Sequence, residues 1–234
     1  EGIVSNDTMQ LSVFNGTQAL LFQAVLRNDS LIGTTHIGVH GQDDWFAVRD
    51  PDFRLRHPDS LTVMKEGQRM VDFRFNDLNG QPQSPRDEQH AGKVVMVQVL
   101  GSWCPNCADE SVLLKEMYDR YHHQGLEVIG IAFERYPDEA RSLSGLTRFR
   151  DHLDIPYPLC YAGSSKAENV VEKLPFLENV MSFPTSIIIA RDGTVRHIHT
   201  GFYGPGTGER YTAYKRDLDR RISALLSEPL AAVR

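Results

Sequence analysis

Cysteine is scarce in this chain, with three among 234 residues. A small scaffold stapled by disulfides uses many more, so that class of protein is excluded. Long apolar runs are also missing: none approaches the ~18 residues of a membrane-spanning helix. There is no block of Lys or Arg, and the formal net charge is −6. We therefore expect a globular protein with no nucleic-acid partner.

Two of the three cysteines stand in a C-x-x-C motif, Trp103-Cys104-Pro105-Asn106-Cys107. The apolar run at 94–100 before the motif predicts a strand buried on both faces, and a helical pattern begins at Cys107. A C-x-x-C at the strand–helix junction of a βαβ unit is typical of a dithiol/disulfide redox site. A structural zinc site needs four ligands, and no second C-x-x-C or C-x-x-H exists. The third cysteine, Cys160, is predicted to be an inert buried thiol.

The position of each thiol predicts its role. At the start of the helix, unpaired backbone N–H groups and the helix dipole favour a thiolate on Cys104. Pro105 suits the first helical turn, where its missing N–H costs nothing. Cys104 is therefore predicted to attack a substrate disulfide, and Cys107, one turn deeper, to break the resulting mixed disulfide.

A third side chain, Glu110, falls on the same helix face as the two cysteines. A carboxylate there raises the pKa of nearby thiols and can accept the proton of Cys107 during resolution. The alternative is an exposed first-turn glutamate that only offsets the helix dipole. Glu134, at the C-terminal end of a predicted strand, is expected to be a solvated loop residue, and a position facing the rim of the active site is the alternative. His197 and His199 share one strand face, but the sequence offers no evident third ligand, so no metal is predicted.

The chain divides into three parts by pattern. Residues 1–50 hold short β-type segments and turn signals, including Asn15-Gly16, and predict a four-stranded antiparallel meander. Residues 51–70 contain Pro51 and Pro58 and are interpreted as a linker with at most one helical turn. In residues 71–234 the pattern predicts the order β, β, α, β, α, then one extra strand and one extra helix, and finally ββα. We expect an α/β domain there, with a central mixed sheet flanked by helices.

This order resembles the thioredoxin fold. The motifs narrow the likeness to the TlpA/ResA branch of bacterial extracytoplasmic thiol–disulfide oxidoreductases, within the AhpC/TSA–redoxin superfamily. The resemblance covers about residues 70 to 230. It is carried by Gly92-Lys93-Val94-Val95, Gly101-Ser102-Trp103-Cys104, Glu110 and Phe183-Pro184-Thr185.

The resemblance implies an enzyme that works through a redox-active Cys104–Cys107 disulfide and needs no other cofactor. It implies an active-site role for Glu110 and a cis peptide bond before Pro184, beside the dithiol. It further implies the periplasm or cell envelope, a disulfide-containing protein substrate and a membrane-bound thiol electron donor. Any export signal or lipid anchor is expected upstream of Glu1. Substrate contacts are expected from Trp103, Pro105, Phe183, Pro184 and Thr185.

Glu110, and the lack of a His between the cysteines, favour a reductant over a strong oxidant. Two alternatives stay open. A thiol peroxidase on the same scaffold needs a Thr in the turn before its reactive cysteine, where this chain has Gly101-Ser102-Trp103. Direct peroxide turnover distinguishes that enzyme. The other alternative is a binding protein in which the meander captures a ligand and the redox domain is incidental.

Overall fold

The computed structural model describes residues 1–14, 19–136 and 138–229. The chain divides into two compact units, Glu1–Leu55 and Arg56–Arg234. The hairpin predicted at Asn15-Gly16 lies outside the described residues, and so does Pro137, at which the sequence pattern predicts the start of a helix.

The first unit is one antiparallel sheet whose five strands follow one another in chain order. The prediction of four strands was wrong by one, because the first strand has only four residues and shows no clear alternation. Asn28, in a predicted turn, takes a φ of 55°, a left-handed conformation that Asn tolerates well. The strands are β1 (Gly2–Ser5), β2 (Thr8–Phe14), β3 (Ala19–Arg27), β4 (Ser30–Ile37) and β5 (Gly41–Val48).

The second unit is a mixed sheet with helices, as the expected thioredoxin-like fold requires. Its strand order is β10-β9-β8-β11-β12, with β8 parallel to β9 and antiparallel to β11. A two-stranded hairpin, β6 with β7, precedes it. The elements are β6 (Phe75–Asn76), β7 (Pro82–Gln83), β8 (Val94–Leu100), α1 (Pro105–Tyr121), β9 (Leu126–Glu134), α2 (Glu139–Leu153), β10 (Leu159–Ser164), α3 (Ala167–Lys173), β11 (Thr185–Ile189), β12 (Val195–Thr200) and α4 (Glu209–Leu226).

Strand β8 is buried on both faces, as its unbroken apolar run predicts. Because side chains alternate along a strand, successive residues enter two separate cores. Val94, Met96 and Leu100 join the core that holds both active-site cysteines and residues of α1 and α4. Val95, Val97 and Val99 join a second core. That core also contains Val170 of α3 and Leu174, the residue that follows this helix. The end of β8 is thereby held rigidly where the C-x-x-C motif begins.

Residues 56–70 do not form the predicted linker. Their one short 3-10 helix, Pro58–Ser60, agrees with the single helical turn expected there, but Thr62 is fully buried. Met64 bridges to Leu177, and Met70 bridges to Thr194 beside β12. The prolines and charges of this segment suggested a linker because its few inward-facing residues follow no regular period.

Val71, Phe73 and Phe75 alternate with polar residues, a pattern that predicts a longer strand than the one that forms. Only Phe75–Asn76 pairs, whereas Val71 and Phe73 are buried in the second core without ladder partners. Among the helices of the described residues, none combines the length and the apolar character that crossing a membrane requires.

Leu114 on α1 is fully buried, whereas Val112 on the same helix is 52% exposed. We predict that Leu114→Ala lowers the free energy of unfolding of the second unit by about 2–5 kcal/mol, because the change removes apolar contacts and leaves a cavity. Val112→Ala should change it by no more than about 0.5 kcal/mol. Urea unfolding followed by Trp103 fluorescence, in a Trp45→Phe background, measures both. Equal losses would contradict the assignment of the helix faces.

Candidate active site

The Cys104 sulfur lies at the N-terminus of α1, where the sequence places it. Cys104 has extended backbone angles and caps the helix, and its Sγ accepts a hydrogen bond from the Cys107 N–H at 3.3 Å. Pro105 is the first helical residue, as predicted. Both cysteines are free thiols. Cys104 retains 7% exposure and Cys107 has none. The geometry therefore gives solvent a narrow approach to one sulfur only.

The surroundings shift the pKa values of the two thiols in opposite directions. The pKa of Cys104 is lowered, chiefly by a hydrogen bond from the Cys107 thiol and also by the backbone N–H groups of Cys107 and Asn106. Burial opposes this shift, and so does the charge of Glu110. The pKa of Cys107 is raised well above its ordinary value, first by burial and then by its hydrogen bond to Cys104. Negative charge is therefore more favourable on Cys104 than on Cys107.

Glu110 is fully buried, which excludes the alternative of an exposed glutamate at the first turn. Its Oε2 accepts a hydrogen bond from Gln98 Nε2 at 2.8 Å. Its Oε1 accepts from Ser186 Oγ at 2.8 Å and from the Tyr214 hydroxyl at 3.2 Å. Burial raises the pKa of Glu110 to about 7, although these three donors act to lower it. This carboxyl group can therefore gain or lose a proton near neutral pH.

Gln98 connects the carboxyl group to the dithiol. The side-chain amide that donates to Glu110 also donates to the Cys107 carbonyl at 3.3 Å. Its own oxygen accepts from Ser111 Oγ at 2.9 Å, which fixes the orientation of the amide. A polar residue in the middle of a buried strand is costly unless it is bonded, and here it is. The sequence analysis did not single out Gln98, although it is the only polar residue within β8.

Two aromatic side chains stand beside Cys104. The half-buried rings of Trp103 and Phe183 meet edge to face, with centroids 5.7 Å apart. Trp103 Nε1 donates to the Phe133 carbonyl at 3.0 Å, and the Arg135 guanidinium lies 3.8 Å from the centroid of the Trp103 ring. The Trp103 ring is therefore fixed from two sides. The substrate contact predicted for Trp103 stays a prediction.

The loop before β11 also reaches the dithiol. The Phe183–Pro184 peptide bond is cis, as the resemblance implies. The Cys104 thiol donates to the Phe183 carbonyl over 3.7 Å. The Thr185 side chain is fully buried, and its hydroxyl donates to the Ser182 carbonyl at 2.8 Å. The prediction that Thr185 contacts substrate is therefore wrong for its side chain, which instead holds the loop in place.

Glu134 is a second buried carboxyl group, and the prediction that it is solvated was wrong. It ends β9 with 2% exposure and accepts from the Ser102 N–H and from Ser102 Oγ, both at 2.8 Å. Burial raises its pKa. Glu134 thus fixes the turn that leads into Trp103 and Cys104. The carboxyl ends of the parallel strands β8 and β9 lie at the same edge of the sheet, which is the signal that could have identified it.

Two other sequence predictions concern residues away from the dithiol. Cys160 is fully buried, and burial raises its pKa to about 12, which fits the expected inert thiol. The statement that His197 and His199 lack a third potential ligand was wrong, because Asp59 lies against both. Asp59 belongs to the segment interpreted as a linker, so no sequence pattern placed it beside the two histidines.

The sequence of the second unit was compared with protein families. The model of the AhpC/TSA family matches residues 67–198, more than half of the chain. The chain belongs to the AhpC/TSA family. The matched range includes the dithiol, Glu110, the cis proline and most of β12.

Curated relatives of this AhpC/TSA chain carry thiol–disulfide oxidoreductase and thioredoxin-like names. Thiol-disulfide oxidoreductase ResA of Halalkalibacterium halodurans is 26% identical over 60% of this chain and 71% of its own length. Thioredoxin-like protein YneN of Bacillus subtilis is 28% identical over 59% of this chain and 73% of its own length. The class expected from the sequence, a thioredoxin-like thiol–disulfide oxidoreductase, is confirmed.

Solved structures support the fold of this AhpC/TSA domain. A thiol:disulfide interchange protein of the thioredoxin family from Chlorobium tepidum superposes with a TM-score of 0.52 at 21% identity, over 68% of this chain and 97% of its own. A secreted thiol-disulfide isomerase from Corynebacterium glutamicum gives 0.55 at 18% identity, over 75% and 98%. The predicted thioredoxin-like fold is confirmed.

We predict that Glu110→Gln lowers the pKa of both active-site thiols. The charge of Glu110 raises both pKa values, and it is present mainly above pH 7, because its own pKa is about 7. The pH dependence of the iodoacetamide reaction with Cys104 measures the effect, which should be largest on the alkaline side of neutrality.

The matched control is Glu116→Gln on the same helix, where the carboxylate is partly exposed and pairs with Arg120 and Lys215. Its titration should coincide with that of the parent. Far-UV circular dichroism checks that each variant is folded. Superimposable curves for Glu110→Gln and the parent would remove Glu110 from the active site.

Proposed function

We propose that this chain is an extracytoplasmic thiol–disulfide oxidoreductase that reduces disulfides in protein substrates through Cys104 and Cys107. The unequal state of the two thiols carries the proposal: the helix terminus stabilises a thiolate on Cys104, and burial keeps Cys107 protonated. A reductant needs this difference, because one sulfur must be ionised to attack the substrate while the other stays protonated until the mixed disulfide has formed.

In the first step the Cys104 thiolate attacks one sulfur of the substrate disulfide. A Cys104–substrate disulfide forms, the substrate S–S bond breaks, and the departing thiolate takes a proton from solvent. Trp103 and Pro105 flank Cys104 along the chain, the Phe183 carbonyl lies 3.7 Å from its sulfur, and all three residues are half-buried. Because Cys104 is only 7% exposed, the substrate disulfide has to come close to these three residues to reach the sulfur.

In the second step Cys107 attacks Cys104 Sγ. The mixed disulfide breaks, the Cys104–Cys107 disulfide forms, and the second substrate sulfur leaves and is protonated. Two electrons have then passed from the dithiol to the substrate. Cys107 must lose its proton to attack, and Glu110 accepts it. A carboxyl group with a pKa of about 7, one helical turn away on the same face, supports this assignment.

The compartment and the electron source are further parts of the proposal. We place the protein in the periplasm or cell envelope, where a membrane-bound thiol protein returns the Cys104–Cys107 disulfide to the dithiol. Similarity to relatives named ResA and the likeness to the TlpA/ResA branch support this placement.

We predict that Cys104→Ser lowers the rate of insulin disulfide reduction by at least about a hundredfold, because the attacking thiolate is lost. Cys107→Ser should instead accumulate a covalent adduct with substrate, since nothing resolves the mixed disulfide. Mass spectrometry under non-reducing conditions detects that adduct.

The control is Cys160→Ala, which removes the third thiol without touching the site and should keep the parent rate. Full reduction by Cys104→Ser, or adducts attached through Cys160, would overturn the assignment.

The direction of electron flow is tested by the potential of the dithiol. We predict a reduction potential nearer the ~−270 mV of a general reductant than the ~−120 mV of a strong oxidant. The reason is that Glu110 disfavours a stabilised thiolate and that no His stands between the cysteines. Equilibration with glutathione or dithiothreitol buffers, read by alkylation and mass, gives the value. A potential near that of the oxidant would reverse the proposed direction.

A further inference from the structure

Three side chains with metal-ligating atoms converge at the edge strand β12. His197 and His199 are two residues apart on one strand, so their imidazoles stand on the same face of the sheet. Asp59 reaches them from the 3-10 helix Pro58–Ser60. One ligating atom from each residue lies within 4.8 Å of the other two. Among the residues that the structure describes, no other group of three His, Cys, Asp or Glu side chains meets this condition.

The two oxygens of Asp59 have different neighbours. Oδ1 faces both imidazoles, at 2.6 Å from His199 Nδ1 and 3.4 Å from His197 Nε2. Oδ2 faces His57 Nδ1 at 3.6 Å and the Arg221 guanidinium at 4.0 Å. The positive charge of Arg221 therefore stands on the far side of the carboxylate. Oδ1 is left to act together with the two imidazole nitrogens.

The spacing suits a small divalent ion. Zinc binds imidazole nitrogen and carboxylate oxygen at about 2.0–2.1 Å, so two ligands of a tetrahedral site lie roughly 3.3–3.4 Å apart. The separation of His197 Nε2 from Asp59 Oδ1 is 3.4 Å. The 2.6 Å separation of His199 Nδ1 from Asp59 Oδ1 is that of a hydrogen bond and has to open by less than about 1 Å.

The two histidines of the cluster are largely buried, and Asp59 is its most exposed member. The exposed fractions of the His199 and His197 side chains are 10% and 15%, whereas that of Asp59 is 29%. His199 Nε2 is buried without a hydrogen-bond partner in the described part of the chain, so Nδ1 makes the polar contact of this ring. The imidazoles are held in place, and an ion can enter past Asp59.

We propose that Asp59, His197 and His199 bind one divalent transition-metal ion, with Zn²⁺ the best match to two imidazole nitrogens and one carboxylate oxygen. Three protein ligands leave one position for water. The site is separate from the dithiol and stands whether or not the proposed function does.

The ion would join two distant parts of the chain. Asp59 and His199 are 140 positions apart in sequence, so a shared metal ties the segment before the domain to its edge strand. An ion that binds the folded chain and not the unfolded one stabilises the fold by mass action. We therefore expect Zn²⁺ to raise the unfolding temperature of the second unit as well as to bind.

The test uses a tag-free chain with Cys104→Ser and Cys107→Ser, because thiolates are themselves zinc ligands. Equilibrium dialysis against Zn²⁺, with elemental analysis, should find one ion per chain. Adding His197→Gln or His199→Gln should weaken binding by at least about a hundredfold, since even the loss of a supporting outer-shell partner costs up to that much. His123→Gln, which changes an exposed histidine beyond α1, is the matched control and should bind as the parent does.

A second measurement does not depend on the variants folding. Co²⁺ added to the same Cys104→Ser, Cys107→Ser chain should give the intense visible bands of a four- or five-coordinate ion. The bands should disappear when Zn²⁺ displaces Co²⁺. The proposal is overturned by the absence of saturable Zn²⁺ binding at submillimolar concentrations, or by binding that survives both histidine changes. Either result would leave Asp59 as a hydrogen-bond acceptor for two histidines and nothing more.

Discussion

Glu110 is a carboxyl group with no solvent exposure at the centre of an apolar core, and the architecture around it follows from the cost of that burial. An ionised carboxylate is stable there only if donors replace the water it has lost. Gln98 on β8, Ser186 on β11 and Tyr214 on α4 supply them. Three elements are thus held against α1 by one side chain. The balance between desolvation and these bonds leaves its pKa at about 7.

The same balance makes the dithiol asymmetric. The charge of Glu110 raises the pKa of both thiols. At Cys104 it is outweighed by the hydrogen bond from the Cys107 thiol and by the backbone N–H groups of Cys107 and Asn106, whereas at Cys107 burial dominates. In the proposed mechanism this asymmetry sets the order of events, because Cys104 ionises first and Cys107 loses its proton only after the mixed disulfide has formed. A neutral residue in place of Glu110 would remove the acceptor for that proton, whereas burial would still keep Cys107 protonated beforehand.

Local features of this site could be predicted from the sequence, and long-range ones could not. The cap at Cys104, the start of α1 at Pro105 and the buried strand β8 follow from the pattern within about fifteen residues. The donors to Glu110 do not, since Ser186 and Tyr214 lie 76 and 104 positions away and meet it only once the sheet order is set. Glu134 and Asp59 were misjudged for the same reason. A carboxylate after a strand, or in a proline-rich segment, has no local pattern that distinguishes burial from solvation.

Tyr214 illustrates why such residues must be read in three dimensions. In the sequence, Tyr214 fits the apolar face of the amphipathic helix α4. Its ring packs against His199 with centroids 4.8 Å apart. Its hydroxyl, however, is the third donor to Glu110, and burial together with that carboxylate raises its pKa well above the ordinary value. Tyr214 therefore stays protonated at neutral pH and remains a donor in both states of Glu110. A phenylalanine would keep the packing but leave Oε1 with Ser186 alone, so the hydroxyl acts together with Gln98 and Ser186 against the burial that raises the pKa of Glu110.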